Sequence, residues 1–353
     1  MLHLRVHDRR GAERLGDRGG VSAPRDPVQG SYGAYFGILR TYCGVAPATS
    51  RDEVAAADVV VLGAPFDEAV SYRPGTRFGP QAVREGEDVN AMGERPSLHA
   101  GIDPLAELRI VDWGDIDVQA GNIPLAHDLL AEAVGFALEV GTLPIVIGGD
   151  HSLSHAMLRA LHGAYGSDGY SVIHFDTHAD TGDPATGEPP HGTPFRAAIE
   201  RGELDGSRIF QIGLRGTWPT PPEFDWMRAQ GMRWATMDEI EDRGLPAVVA
   251  EAIAFAAERA PRTYLTVDID VLDPAYAPGT GTPEPGGLTT RELKRAVLAV
   301  ASSLDLCAMD LVEVSPPYDH AAITAMAGHR VILDCLNGVA LRRTGRTAQR
   351  QMP

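Results

Sequence analysis

Three segments of the chain carry residue types suited to metal chemistry: Gly148-Gly149-Asp150-His151-Ser152, Asp176-Thr177-His178-Ala179-Asp180 and Asp268-Ile269-Asp270. In extended backbone residues i, i+2 and i+4 share a face, so Asp176, His178 and Asp180 can converge, as can Asp268 and Asp270. None of the three segments contains Lys or Arg. Carboxylates set beside apolar runs such as Leu265-Thr266-Val267 are costly to bury without a cation, and a divalent metal supplies one. Four Asp and two His suit Mn²⁺ best, with Ni²⁺, Co²⁺ or Zn²⁺ as alternatives. The carboxylate share predicts two ions, bridged by Asp176 and Asp268. His151 and Asp180 complete one ion; His178 and Asp270 complete the other. Such a pair can hold a hydroxide at neutral pH, which is a hydrolytic nucleophile. The competing reading, solvated strand edges, has to place three acidic segments after three apolar runs by coincidence.

Other histidines sort differently. His155 follows His151 by four, but HSLSH lacks the adjacent Glu of an HExxH metal helix, so His155 reads as a packed residue outside the ligand set. His174 alternates in phase with Asp176 but lies deeper in its strand, which makes it a core or ligand-orienting histidine.

The elements that must position these residues are short apolar runs alternating with amphipathic stretches. Candidate strands are 59–62, 108–111, 143–147, 172–175, 209–212, 232–235, 264–267 and 306–312, and candidate helices include 124–140, 152–161, 245–260 and 290–303. Strand and helix in alternation predict an α/β fold with a parallel sheet between helical layers. Ligands of such sheets bind beyond the carboxyl ends of the strands, which is where all three acidic segments fall. No linker divides the middle, so 30–340 reads as one domain, with a polar tail at 1–29 and a basic tail at 341–353.

Charge narrows the partners. The 353 residues include 31 Lys plus Arg and 48 Asp plus Glu, a formal charge of -17, which repels nucleic acid and anionic membranes and suits a small cationic ligand. The 3 Cys lack CxxC spacing, so neither a disulfide framework nor a thiolate zinc cluster is expected, and a cytoplasmic setting is the default. No apolar run approaches the ~18 residues of a membrane span.

In order along the chain stand GAPFD at 63–67, RPGTRFGPQAVR at 73–84, GGDHS at 148–152, HFDTHAD at 174–180, HGTPF at 191–195, VDIDVLDPAYAPGTGTPEPGG at 267–287 and EVSP at 313–316. This set resembles the ureohydrolase family of arginases, agmatinases and related amidinohydrolases. The resemblance implies an arginase-like three-layer α/β/α fold with an eight-stranded parallel sheet, a dinuclear manganese site, a trimeric or hexameric homo-oligomer, and release of urea from a guanidino compound. It further implies that His191 shuttles protons at the site mouth and that Glu313 receives the guanidinium. Asp180, besides ligating, passes a proton to the departing amine. Two divalent ions, four carboxylates, a hydroxide and Glu313 then sum to -2, which welcomes a +1 guanidinium.

The tail of the substrate is less constrained. Gly182 stands where arginases typically carry a side-chain amide that reads the amino-acid head group, which disfavours arginine. HGTPF and RPGTRFGP are more similar to agmatinases and guanidinobutyrases, and Asp183 and Glu188 could attract the ammonium of agmatine. Thr177 replaces the usual Ala. The 11-residue step from Asp180 to His191 and the N-terminal extension leave open guanidinobutyrate, guanidine itself or a guanidino secondary metabolite. A single-metal deacylase or an inactive binding relative would not need all six ligands.

Overall fold

The computed structural model describes residues 40–86, 96–184 and 190–348. The expected tail at 1–29 and the residue Glu188 lie outside them. Nine strands form one sheet: β1 Ala46–Pro47, β2 Val59–Ala64, β3 Ile110–Asp115, β4 Leu143–Gly148, β5 Tyr170–Phe175, β6 Ile209–Leu214, β7 Arg233–Thr236, β8 Arg262–Asp268 and β9 Leu306–Val312. Their order is β1-β3-β2-β4-β9-β8-β5-β6-β7, and every neighbouring pair is parallel. The eight expected strands are all present. The ninth, β1, is a two-residue edge strand paired to β3 through Ala46 and Pro47, too short and too exposed to leave a hydrophobic pattern.

Period-two alternation explains the three layers. In β2, Val59 and Val61 enter one buried apolar cluster while Val60 and Leu62 enter the other. The first cluster is closed by the helices Leu245–Arg259, Thr290–Ser303 and Ile323–Thr344, and the second by Ile123–Glu139 and Leu153–Tyr165. Local chemistry starts these helices where the polar residues stand. Asn122 accepts from the Leu125 amide, and Thr289 with Glu292 forms a reciprocal capping box. The last helix runs to Thr344, past the boundary set for the basic tail at 341, because Leu341 is still buried against the sheet-facing side.

The strand order places the chemistry. β4, β9, β8 and β5 are consecutive in the sheet although far apart in the chain. Adjacent strands lie about 4.8 Å apart, so the segments leaving their carboxyl ends meet in a space a few side chains wide. A buried polar row crosses the same region: Gln211, His174, Thr266 and Asp310 are successive register partners on β6, β5, β8 and β9. All four side chains are fully buried. Among the described residues no helix is long and apolar enough to cross a membrane.

Candidate metal centre

His151 follows β4 and turns its Nδ1 into three carboxylates. The nitrogen is 2.8 Å from Asp180 Oδ2, 3.1 Å from Asp176 Oδ2 and 3.3 Å from Asp268 Oδ2. Close as they are, it hydrogen-bonds to none of them. The atoms converge on a common point, the arrangement expected of ligands around an ion. The other oxygen of Asp176 faces a second group: Oδ1 is 3.6 Å from His178 Nδ1, which is 3.2 Å from Asp270 Oδ2. Asp176 therefore belongs to both groups, with one oxygen toward each. Asp268 reaches the first group through Oδ2, while its Oδ1 accepts from the Asp270 amide at 2.8 Å.

All six residues expected as ligands thus stand at this one end of the sheet. Among the described residues, no Lys or Arg side chain forms an ion pair with their carboxylates. Protons do the compensating instead. Burial, reinforced by the charges of Asp270 and Asp176, holds the Asp268 carboxyl well above the usual carboxylate range, and burial with Asp176 lifts Asp270 to about 6. Burial alone would lower the His178 pKa, but Asp270 and Asp176 outweigh it and push the ring up to about 12. Divalent ions would displace those protons and take over the compensation.

His174 has no free nitrogen for a metal. Its Nε2 lies 2.8 Å from Asp176 Oδ2, and its Nδ1 accepts from Gln211 Nε2 at 3.0 Å. It orients Asp176, as its depth in the strand predicts. His155 points away from the cluster, toward Glu203 at 2.9 Å and Arg201 at 3.0 Å.

Glu313 follows β9 and adopts a left-handed backbone with φ 64°, and Asp180 does likewise with φ 51°. Side chains other than glycine rarely hold that conformation, and it costs on the order of 1–3 kcal/mol, so the fold invests strain in placing both carboxylates. Glu313 Oε1 accepts from the His151 amide at 3.0 Å and from His191 Nδ1 at 2.9 Å. Its Oε2 is buried without a partner, an acceptor left for something else to fill. His191 is held on its other side by Ser71, whose amide donates to Nε2 at 3.0 Å and whose hydroxyl lies 2.7 Å away. Burial lowers the His191 pKa, but the hydrogen bond and charge of Glu313 raise it to about 9. The Ser71 amide opposes this by requiring an unprotonated Nε2.

A small pocket of about 60 Å³ opens above these groups, lined by Ser71, His178, Asp180, Gly182, His191, Trp218, Glu223, Asp268 and Thr282 among others. Asp183 is exposed and lies 3.6 Å from Arg196, outside the pocket. Sequence reasoning did not find Ser71, Trp218 or Glu223. They come from loops with no metal-ligand spacing, and only the tertiary fold brings them to the mouth. Asp150, by contrast, sits inside GGDHS yet faces away from the ligands, accepting from Ser152 and from the Ala69 amide at 3.0 Å, which ties down the loop that carries Ser71.

Known proteins are similar to this chain in sequence and fold. The arginase family model matches residues 57–337. A guanidinobutyrase of Pseudomonas aeruginosa is 37% identical over 312 residues, 88% of this chain and 95% of that protein. An agmatinase of Bacillus subtilis is 38% identical over 299 residues, 84% of this chain and 97% of that protein. The solved structure of proclavaminate amidinohydrolase from Streptomyces clavuligerus superposes with a TM-score of 0.77 at 35% identity, covering 87% of this chain and 99% of that one. With the family model spanning most of the sheet and every ligand segment, the chain belongs to the arginase family.

Proposed function

We propose that this chain is a dinuclear metal-dependent amidinohydrolase that cleaves a guanidino compound to urea and an amine, with agmatine as the preferred substrate. The convergence of His151 Nδ1 with three carboxylate oxygens, without a hydrogen bond to any, is the observation that carries the metal assignment. His151, Asp176, Asp180 and Asp268 would hold one ion, and Asp176, His178, Asp268 and Asp270 the other. The mixed carboxylate and imidazole set favours Mn²⁺. Bound there, two such ions supply Lewis acidity and a water acidic enough to ionise near neutral pH.

The chain's own residues account for the rest. Glu313 Oε2, buried and unpartnered, accepts an N–H of the guanidinium and fixes the carbon of that group above the ligand cluster. His191 exchanges protons at the pocket mouth, with Ser71 holding the ring by Nε2 and Glu313 by Nδ1. Asp180 is the carboxylate placed to hand a proton to the leaving amine, since it both reaches the cluster and lines the pocket.

The choice of tail follows from the walls. The described lining of the pocket contains the carboxylates of Asp180, Glu223 and Asp268 and the half-exposed indole of Trp218, and no Lys or Arg. An ammonium tail gains from such walls, whereas a carboxylate tail is repelled. Urea release from agmatine, 4-guanidinobutyrate, arginine and guanidine by the Mn²⁺-loaded protein tests this. Agmatine should give the highest kcat/KM; a preference for 4-guanidinobutyrate overturns the tail assignment, and no urea from any guanidine overturns the reaction.

A further inference from the structure

The GGDHS segment supplies His151 to the ligand cluster, but its aspartate has no part there. Asp150 is fully buried and belongs to neither group of side chains able to hold an ion. Its Oδ1 accepts from the Ser152 amide at 3.0 Å and the Ser152 hydroxyl at 2.6 Å, and its Oδ2 accepts from the Ala69 amide at 3.0 Å. Both oxygens are thereby engaged, which makes the carboxylate a rigid anchor for whatever donates to it.

What it anchors is the loop that leaves β2. Two backbone hydrogen bonds join the same segments: the Gly149 amide donates to the Ala64 carbonyl at 3.0 Å, and the Asp150 amide to the Phe66 carbonyl at 3.1 Å. Only glycine permits so close an approach, since a Cβ on Gly149 would fall 2.1 Å from the Phe66 carbonyl oxygen. Farther along this loop, the Ala69 carbonyl accepts from the His191 amide at 3.2 Å, and Ser71 meets the His191 ring with its amide at 3.0 Å and its hydroxyl at 2.7 Å. On the opposite side, the Gly149 carbonyl accepts from the Glu313 amide at 2.9 Å. The His151 amide donates to Glu313 Oε1 at 3.0 Å, the same oxygen that lies 2.9 Å from His191 Nδ1. Residues 149–151 therefore hold Glu313 directly and His191 through the loop. We propose that Asp150 is a positioning residue for proton exchange: through Ala69 and Ser71 it sets His191 against Glu313, without touching substrate or ion. The bond from the Ala69 amide to Asp150 Oδ2 is the one side-chain link in that path, so it can be cut from either end.

The inference rests on the reading of His191 as the proton shuttle. Asp150→Ala removes the acceptor of the link, and Ala69→Pro removes the donor at a position outside the ligand segments. With the Mn²⁺-loaded protein and its best guanidine substrate, each should lower kcat by about 10- to 100-fold, the effect of displacing a catalytic group by about 1 Å, and leave KM within about threefold. Metal content should stay near wild type, and the thermal midpoint checks that each variant folds. In a His191→Asn background either substitution should cost less than a further factor of about three, because the group it misplaces is already gone. If Asp150→Ala does not fold, Ala69→Pro carries the test. Losses that multiply with His191→Asn, wild-type kcat in folded Ala69→Pro, or a fall in activity that follows a loss of metal overturns the proposal while the shuttle stands. Wild-type kcat in His191→Asn overturns the shuttle and the positioning role together.

Discussion

Arg84 lies between Asp112 and Asp115 at the carboxyl end of β3, and a few strands away four carboxylates gather that, among the described residues, form no ion pair with any Lys or Arg. In the first cluster Arg84 Nε donates to Asp112 at 2.8 Å, Nη2 to the other Asp112 oxygen at 3.0 Å, and Nη1 to Asp115. Asp112 also accepts from the Tyr42 amide at 2.9 Å and the Gly114 amide at 3.0 Å. The packing around this pair leaves no room for more: a Cβ on Gly63 would fall 1.8 Å from an Asp115 oxygen. In the second cluster His151 Nδ1 lies 3.3 Å from Asp268 and His178 Nδ1 3.2 Å from Asp270, protons rather than a guanidinium offset the buried charge, and a pocket stands open above them. Both clusters bury acids at strand ends. One carries its cation in the sequence and is closed; the other leaves the cation to be supplied from outside and stays reachable. That difference separates a structural ion cluster from a catalytic one more directly than burial or charge count does.

The largest expected effect breaks the open cluster at its shared member. Asp176→Ala removes an oxygen from both groups, so metal content measured by elemental analysis should fall below one ion per chain, and kcat/KM by at least about 10³-fold, while the fold persists. Arg84→Met does the reverse. It leaves two buried acids without their cation and should cost about 3–5 kcal/mol in denaturant unfolding, yet leave the number of bound ions unchanged in the folded protein. Glu313→Gln keeps the shape of the substrate acceptor but removes its charge. It should cost on the order of 2–5 kcal/mol in kcat/KM with metal content preserved, and a loss below about threefold would remove Glu313 from guanidinium recognition.

A smaller effect concerns the closed region alone. His329 gives its Nδ1 hydrogen to the carbonyl of Val83, the residue before Arg84, at 2.9 Å and stacks on Tyr42. Burial, only partly offset by that hydrogen bond, lowers its pKa to about 4. Below about pH 6.5 the unfolded chain protonates this ring while the folded one does not, so the unfolded state binds more protons and stability falls with pH. Between pH 6.5 and 5 the loss should be about 2 kcal/mol, and His329→Gln should flatten that part of the unfolding profile. An unchanged slope in the variant would show that the acid sensitivity arises elsewhere.

The sequence made the open cluster legible because each ligand segment is contiguous and directly follows an apolar strand. His178 and Asp180 need only the pitch of an extended chain to be placed beside Asp176. The closed cluster was not legible in the same way. Arg84 stands in the RPGTRFGPQAVR segment, but nothing local says that its partners are Asp112 and Asp115, since that pairing depends on β2 and β3 lying side by side. The same holds for Thr266 and Asp310, which meet only through strand register, and for Ser71, which reaches His191 across 120 residues of chain. Local periodicity also missed β1, whose two exposed residues carry no pattern, and the basic tail expected from composition at 341–353 begins inside the last helix, where Leu341 is buried while Arg342 and Arg343 are exposed.

The central claim is that the open cluster is completed by two divalent ions. Equilibrium dialysis of the metal-stripped wild-type chain against Mn²⁺ tests it most directly. The predicted result is saturation at two ions per chain, falling to about one in His178→Ala, whose ring serves a single ion. Saturation at one ion or none in the wild type, or two ions retained by His178→Ala, would contradict it.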